Sequence, residues 1–325
     1  MTDKTALILG ATGGSGLAVA RALLASGWQI RALHRHPEDV RSQLPQATWI
    51  KGDALDSKTV VAAAEGASLI FHGVNPPGYK NWPKLVLPML ESTLAAARAS
   101  GARIVLPGTI YNYGVGDGPL LSEMSPQKPT TRKGAIRVEL EERLRKASEK
   151  DGVKVLIVRA GDFFGAETKS SWFSQVMVKP GKPLRKLTYP GRASAGHAWA
   201  YLPDFAEAIA QLVAMEGELA SFDCYHFRGH WFERGVWIAE EIRTVTGQTN
   251  LPIGSLPWWA IKALSPVVPF FREVSEISVF WKNGLCLDNT KLVARLGSEP
   301  HTPLPQALRD TLEGLGCLPD RQCDR

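Results

Sequence analysis

Short apolar runs alternate with amphipathic stretches along the first 160 residues. The run at 5–9 (Thr-Ala-Leu-Ile-Leu) ends in glycine, and an Ala/Leu-rich stretch at 17–25 has helical character. The pattern predicts further strands at 29–33, 48–51, 68–71, 103–106 and 154–159. It predicts helices at 57–64, 85–99 and 132–150, the last strongly periodic. Brief apolar strands separated by helices imply parallel pairing with right-handed crossovers. The predicted class is α/β, a doubly wound parallel sheet of Rossmann type with both faces covered. Beyond about Gly161 the alternation weakens, and proline, glycine and tryptophan become frequent. Isolated helices are expected at 204–215, 235–246, 289–296 and 304–315. The reading is a sheet domain over 1–165 and a smaller mixed cap over 166–325, some of whose segments return to the sheet.

Composition narrows the class. The 325 residues, 44% hydrophobic and 22% charged, suit a globular protein able to bury a core without metal or disulfide staples. A net charge of +6 is a mild excess that suits anionic small molecules, and no Lys/Arg run is long enough for a nucleic-acid patch. Cys224, Cys286, Cys317 and Cys323 form no C-x-x-C pair, so reduced thiols and no metal site are expected. The first strand is expected to start by about Thr5, so no charged-then-apolar leader is expected, and the most apolar stretch, 256–271, is broken by Lys262, Pro257, Pro266 and Pro269. A cytoplasmic protein with a small-molecule substrate, and neither membrane nor nucleic-acid partner, is the expectation. A homodimer is left open. Seven of the ten tryptophans lie beyond residue 150, mostly as core; the adjacent Trp258 and Trp259 cannot both face one interior, which makes them pocket or lid candidates.

The chemistry starts at Gly10-Ala-Thr-Gly13-Gly-Ser-Gly16, between the first strand and the first helix. A glycine turn there aims backbone N–H groups and a helix N-terminus at a pyrophosphate. Gly10, Thr12, Gly13, Gly14, Ser15 and Gly16 are the expected cofactor contacts. An acidic residue after the second strand would bond a ribose diol, but the chain reads Leu33-His-Arg35-His36. The Arg35 fork suits a 2′-phosphate, so NADP is expected, with NAD as the alternative. After the third strand Asp53 is placed to accept from the adenine amino group with Ala54 beside it, while Asp56 caps the next helix. Gly73 would let the chain lie against the cofactor ribose; His72 is read as packed.

Three segments carry a family resemblance: Val155 to Gly165, Trp199 to Ile209, and Asp288-Asn-Thr-Lys291 through Pro300. With the glycine turn they resemble the short-chain dehydrogenase/reductase superfamily. The likeness is to its extended and atypical branches, which include NAD(P)-dependent epimerase/dehydratase proteins and isoflavone-reductase-like enzymes. In this likeness Asp204 caps its helix. The superfamily uses a Ser/Thr after the fifth strand and Tyr-x-x-x-Lys on the next helix. Here Thr109 falls on the first position, but the helix reads Lys133-Gly-Ala-Ile-Arg137, with no tyrosine. This is similar to the Lys-x-x-x-Arg of isoflavone-reductase-like enzymes, which implies Lys133 as acid/base. Two cations at i and i+4 share a face and would draw an anionic partner; Arg137 would also ease proton loss from Lys133. Arg137 is a cofactor- or substrate-facing candidate, with Glu141 placed to neutralise it. Tyr111 and Tyr113, after the fifth strand, are alternative proton donors. His197 and His230 are secondary candidates for substrate contact.

The expected function is an NADP-dependent oxidoreductase acting on a small carbonyl or alkene of aromatic or apolar character. Two alternatives differ in kind. One is a catalytically silent NAD(P)-binding redox sensor, favoured by the missing tyrosine. The other is a sugar-nucleotide epimerase or dehydratase.

Overall fold

The structure is a computed structural model that describes residues 4–76, 78, 81–116, 118, 120–168 and 170–318. In chain order the sheet half contains β1 (Thr5–Leu9), α1 (Gly14–Ala25), β2 (Gln29–His34), β3 (Thr48–Lys51), α2 (Ser57–Ala63), β4 (Leu69–His72), α3 (Trp82–Ser100), β5 (Arg103–Gly108), β6 (Leu120–Leu121), α4 (Arg132–Asp151) and β7 (Val155–Arg159). There follow β8 (Asp162–Phe164), β9 (Leu187–Tyr189), β10 (His197–Tyr201), α5 (Leu202–Ala214), β11 (Phe222–His226), β12 (His230–Phe232), α6 (Trp237–Thr246), β13 (Ile253–Ser255), α7 (Trp258–Leu264), α8 (Pro269–Glu276), β14 (Cys286–Leu287), α9 (Thr290–Leu296) and α10 (Leu304–Gly314).

Seven parallel strands form the central sheet in the order β11-β7-β5-β4-β1-β2-β3. Successive strands step outward from β1 to β3, and the chain then returns to β4 on the other side of β1. The crevice over the carboxyl ends of β1 and β4 is therefore the switch point at which such sheets bind ligands. Both sheet faces are covered, as the apolar runs require. Ala6 and Ile8 pack with Val19, Phe205 and Ile209 of α1 and α5. Leu7 and Leu9 point the other way, onto Leu90 and Leu94 of α3 and Leu140 and Leu144 of α4. The period of two along β1 thus divides its side chains between two cores.

One sheet strand escaped the apolar pattern. β11 comes from the second half of the chain and carries Asp223 and His226 among its five residues. Both polar side chains are paired: Lys291 holds Asp223 at 2.6 Å, and the His226 ring lies 2.9 Å from the Tyr113 hydroxyl and 3.0 Å from the Leu121 carbonyl. The Leu256–Phe271 stretch forms two short helices with the Pro266–Pro269 region between them. Trp258 and Trp259 separate as expected: Trp258 donates to the Pro190 carbonyl and packs on Trp172, while Trp259 is 78% exposed. Most other cap aromatics form a core around Phe164, Phe173, Trp199 and Trp281. Cys224, Cys286 and Cys317 are free thiols, and Cys323 lies outside the described residues. No helix among the described residues is long and apolar enough to cross a membrane.

Candidate active site

The glycine turn is dictated by close backbone approach. Gly10 has φ +92°, and a Cβ there would lie 2.8 Å from the Gly73 carbonyl carbon. A Cβ on Gly16 would lie 2.1 Å from the Gly10 oxygen, so the first helical turn rests directly on the end of β1. The Gly13 N–H donates to the Gly10 carbonyl at 3.0 Å and closes the turn. α1 then opens with no side-chain cap and no acidic residue in its first turn. Its N-terminal partial charge is left for an anion. Thr12, Gly14 and Ser15 are half-buried around this point, and Gly13 is exposed. Gly73 donates to the Leu9 carbonyl at 2.9 Å, which draws the end of β4 against β1. These contacts fit a dinucleotide pyrophosphate: the start of α1 carries no side-chain cap, and a side chain at Gly10 or Gly16 would force apart the backbone that shapes the turn.

Arg35 stands exposed just beyond β2. Beside it, His34 Nδ1 lies 2.9 Å from the His36 carbonyl and 3.2 Å from the His36 N–H, a tight bend from which Arg35 projects. After β3, Asp53 accepts from Leu55 N–H at 3.0 Å, so one of its oxygens shapes its own turn; Ala54 is half-buried within it. Asp56 caps α2 as expected, accepting from Lys58 N–H at 3.1 Å and from the Thr59 hydroxyl at 2.5 Å. The Thr59 hydrogen bond holds its carboxyl below the usual range.

At the end of β5, the Thr109 hydroxyl accepts from Tyr111 N–H at 3.2 Å. The Tyr111 ring stacks on Phe280 at 5.1 Å and is half-buried. Tyr113 is placed differently from the expectation of a proton donor. It is 1% exposed, its hydroxyl lies 2.9 Å from His226 Nε2, and burial pushes it up to about 12. His226 Nδ1 faces the Leu121 carbonyl at 3.0 Å, so that nitrogen carries the proton. Nε2 therefore accepts, and the Tyr113 proton is committed to it. Burial, helped by the Arg159 charge, holds His226 down to about 3 and keeps the ring neutral. Around them Arg159 donates to Glu141 at 2.7 Å and to the Thr109 carbonyl at 2.6 Å. Gln127 bridges Glu141 to Asn112. This buried network fixes the post-β5 loop to α4 and β7. It also corrects the role expected for Glu141, whose partners are Arg159 and Gln127.

Thr131 caps α4, and Gly134 is so close to the Tyr111 carbonyl that a Cβ would meet it at 2.1 Å. The first turn of α4 is thus pressed onto the Thr109 loop. Lys133 is buried and turns to the cap. Its ammonium donates to Glu273 Oε2 at 2.5 Å, Glu276 Oε2 at 2.8 Å and the Glu273 carbonyl at 3.0 Å. The Lys133 N–H donates to Glu276 Oε1 at 3.1 Å. Burial alone would push the Glu276 carboxyl up; the Lys133 hydrogen bonds and charge outweigh it and hold the group below its usual range. Arg137 goes elsewhere. Its guanidinium lies 5.1 Å from the Trp82 ring, and its charge reaches His72. His72 is held down to about 3, chiefly by burial, and its Nδ1 lies 2.8 Å from the Thr93 hydroxyl. The counter-charges of Lys133 thus come from α8. Glu273 and Glu276 were not anticipated, because no helix was expected over 269–276; their spacing of three residues was the available signal.

The cap histidines are also engaged. His197 Nε2 lies 2.9 Å from Asp162 Oδ2, with its ring stacked 4.0 Å from Trp281. Burial, with the neighbouring His301, holds His230 down to about 4. Asp204 does not cap α5. It accepts from the Thr302 N–H and hydroxyl, both at 2.7 Å, and ties the helix start to the segment before α10.

Comparison with known proteins agrees with this architecture. Residues 6–221 match the model of the NAD dependent epimerase/dehydratase family. Among curated proteins, none matches the sequence. Similar solved structures include a UDP-galactose 4-epimerase, 20% identical with a TM-score of 0.72 over 96% of this chain and 98% of that one. The UDP-glucose 4-epimerase from Bifidobacterium longum, solved with NAD+ and UDP, is 13% identical with a TM-score of 0.74 over 97% and 100%. The UDP-glucuronic acid 4-epimerase from Bacillus cereus, solved with UDP-glucuronic acid and NAD, is 15% identical with a TM-score of 0.74 over 96% and 98%. At these identities the likeness is one of fold.

Proposed function

The chain belongs to the NAD-dependent epimerase/dehydratase family, and from that premise we propose that it is an NADP-dependent oxidoreductase acting on a small carbonyl or alkene substrate. The observation that carries the reading is the uncapped start of α1, held against β1 and β4 by Gly10, Gly16 and Gly73. Gly14, Ser15 and Gly16 would hold the pyrophosphate, with Gly13 closing the turn beneath it; Arg35 would take the 2′-phosphate and Asp53 the adenine. The dinucleotide supplies the hydride when bound. The chain's own part is to bind and orient. Thr109 keeps a hydroxyl proton to offer a substrate oxygen while accepting from Tyr111 N–H, and the half-buried Tyr111 is the phenol candidate that remains. Tyr113 has spent its proton on His226. Lys133, with three oxygens on its ammonium, anchors charge in this arrangement.

A sugar-nucleotide epimerase is the second reading, favoured by the fold shared with the three epimerases. Against it stands Lys133 at the position of the family's tyrosine. Titration of the purified protein with NADPH and NADH, followed by coenzyme fluorescence, tests the first reading. NADPH is expected to bind at least about tenfold more tightly, since a charge-assisted phosphate contact contributes about 1.5–3 kcal/mol. Arg35→Ala is expected to remove that preference. Equal affinity for the two coenzymes in the wild type discards NADP.

A further inference from the structure

A lysine ammonium has three donors, and on Lys133 each meets an oxygen of α8. Its side chain is 2% exposed. The two glutamates are held unequally. Glu276 is fixed at both oxygens, one by the Lys133 ammonium and one by its backbone N–H. Glu273 is 20% exposed and has two other cations at hand, Arg132 at 3.4 Å and Arg272 at 3.8 Å, both largely in solvent. These five charged groups, with Trp82 on one side, wall a cavity of about 200 Å³. That is below the roughly 300–1,000 Å³ of sites for drug-sized ligands, so it suits one end of a small molecule.

The charges decide which end. A neutral carbonyl offers the Lys133 ammonium only a dipole, whereas a carboxylate offers a full counter-charge and the shorter, stronger hydrogen bond of an ion pair. A neutral group loses that competition to Glu273. A carboxylate does not, because Glu273 retains Arg132 and Arg272 when it lets go. We propose that this cavity is a carboxylate subsite: the carboxylate of an anionic substrate takes Lys133 in exchange for Glu273, which moves onto Arg132 and Arg272 while Glu276 keeps the ammonium in place. The word substrate rests on the oxidoreductase reading; the anion site does not. The turn of α4 that carries Lys133 also presses Gly134 onto the Tyr111 carbonyl, so the subsite and the Thr109 loop are joined through that turn.

Isothermal titration with benzoate, and with benzyl alcohol as its neutral counterpart, tests the exchange. NADP+ is titrated separately. Glu273→Gln removes the internal competitor and leaves Lys133 paired with Glu276. It is expected to bind benzoate at least tenfold more tightly than the wild type, with benzyl alcohol unchanged. Lys133→Met is expected to lose benzoate and keep NADP+. A Glu273→Gln protein with wild-type near-UV circular dichroism and no gain for benzoate overturns the subsite, because a merely structural ion pair predicts no gain. An equal gain for benzyl alcohol overturns it too. Failure of NADP+ to bind, with the benzoate gain intact, removes the oxidoreductase reading and leaves the anion site standing.

Discussion

The Tyr113 hydroxyl donates a hydrogen bond to His226 Nε2, and the neutral ring accepts it there because its other nitrogen carries its proton toward the Leu121 carbonyl. Tyr113→Phe is expected to leave a buried acceptor unmet and to cost about 1–3 kcal/mol in urea denaturation, with NADPH affinity unchanged. The reverse result, unchanged stability with lost turnover, would return Tyr113 to the chemistry. Gly10 makes the opposite kind of demand. At φ +92°, with Gly73 backbone 2.8 Å from any added Cβ, alanine must push β4 away from the turn. Gly10→Ala is expected to weaken dinucleotide binding at least about tenfold, about 1.4 kcal/mol, as read by coenzyme fluorescence. Wild-type affinity in that variant would mean the turn does not face the ligand.

Helix α5 is joined to the C-terminal segment through Asp204, whose carboxylate receives two donors from Thr302. Asp204→Ala is expected to lower stability by at least about 1.5 kcal/mol, since hydrogen bonds to charged groups contribute about 1.5–3 kcal/mol each. An unchanged urea midpoint would make the tie incidental. The resemblance located Asp204 at the start of its helix but not its partner, which lies 98 residues later. The same limit recurs across the molecule. Local pattern was enough for the central-sheet strands of the first half, though not for the two-residue β6, and for Asp56 as a cap and the glycine turn, because each of these is decided by neighbours in sequence. β11 was not legible, since Asp223 and His226 interrupt its apolar pattern and only the pairing of their side chains with Lys291 and Tyr113 makes them fit a strand. Lys133 could be singled out by spacing, yet its carboxylates lie 140 and 143 residues away. The apolar stretch ahead of them read as a broken hydrophobic run. Its function as the support of Glu273 and Glu276 depends on how α8 meets α4.

Three imidazoles in three parts of the molecule are buried and held neutral: His72 beside α3, His226 in the β11 network and His230 in the cap. Their folded pKa values, about 3, about 3 and about 4, lie below the ordinary 6.5. As pH falls below 6.5 the unfolded chain takes up protons that the folded chain refuses, so stability falls with pH. Each such group contributes a slope of up to about 1.4 kcal/mol per pH unit, and three together up to roughly 4. The fall begins near pH 6.5 and continues toward pH 4, where His230 starts to level off. Glu276, held below its usual range, adds to the loss as pH drops through its folded value. Glu299, raised by burial, works against it. One carboxyl does not offset three imidazoles, so acid unfolding should precede protonation of most carboxylates. Urea midpoints measured from pH 7 to pH 4.5 test this directly. A His230→Phe variant should flatten the curve by one group's share, since the His230 ring contributes its loss only by charging. A midpoint that stays constant from pH 6.5 to 4.5 would mean that these rings accept protons in the folded protein, and that the interior around Tyr113 and Thr93 opens to water more readily than its burial implies.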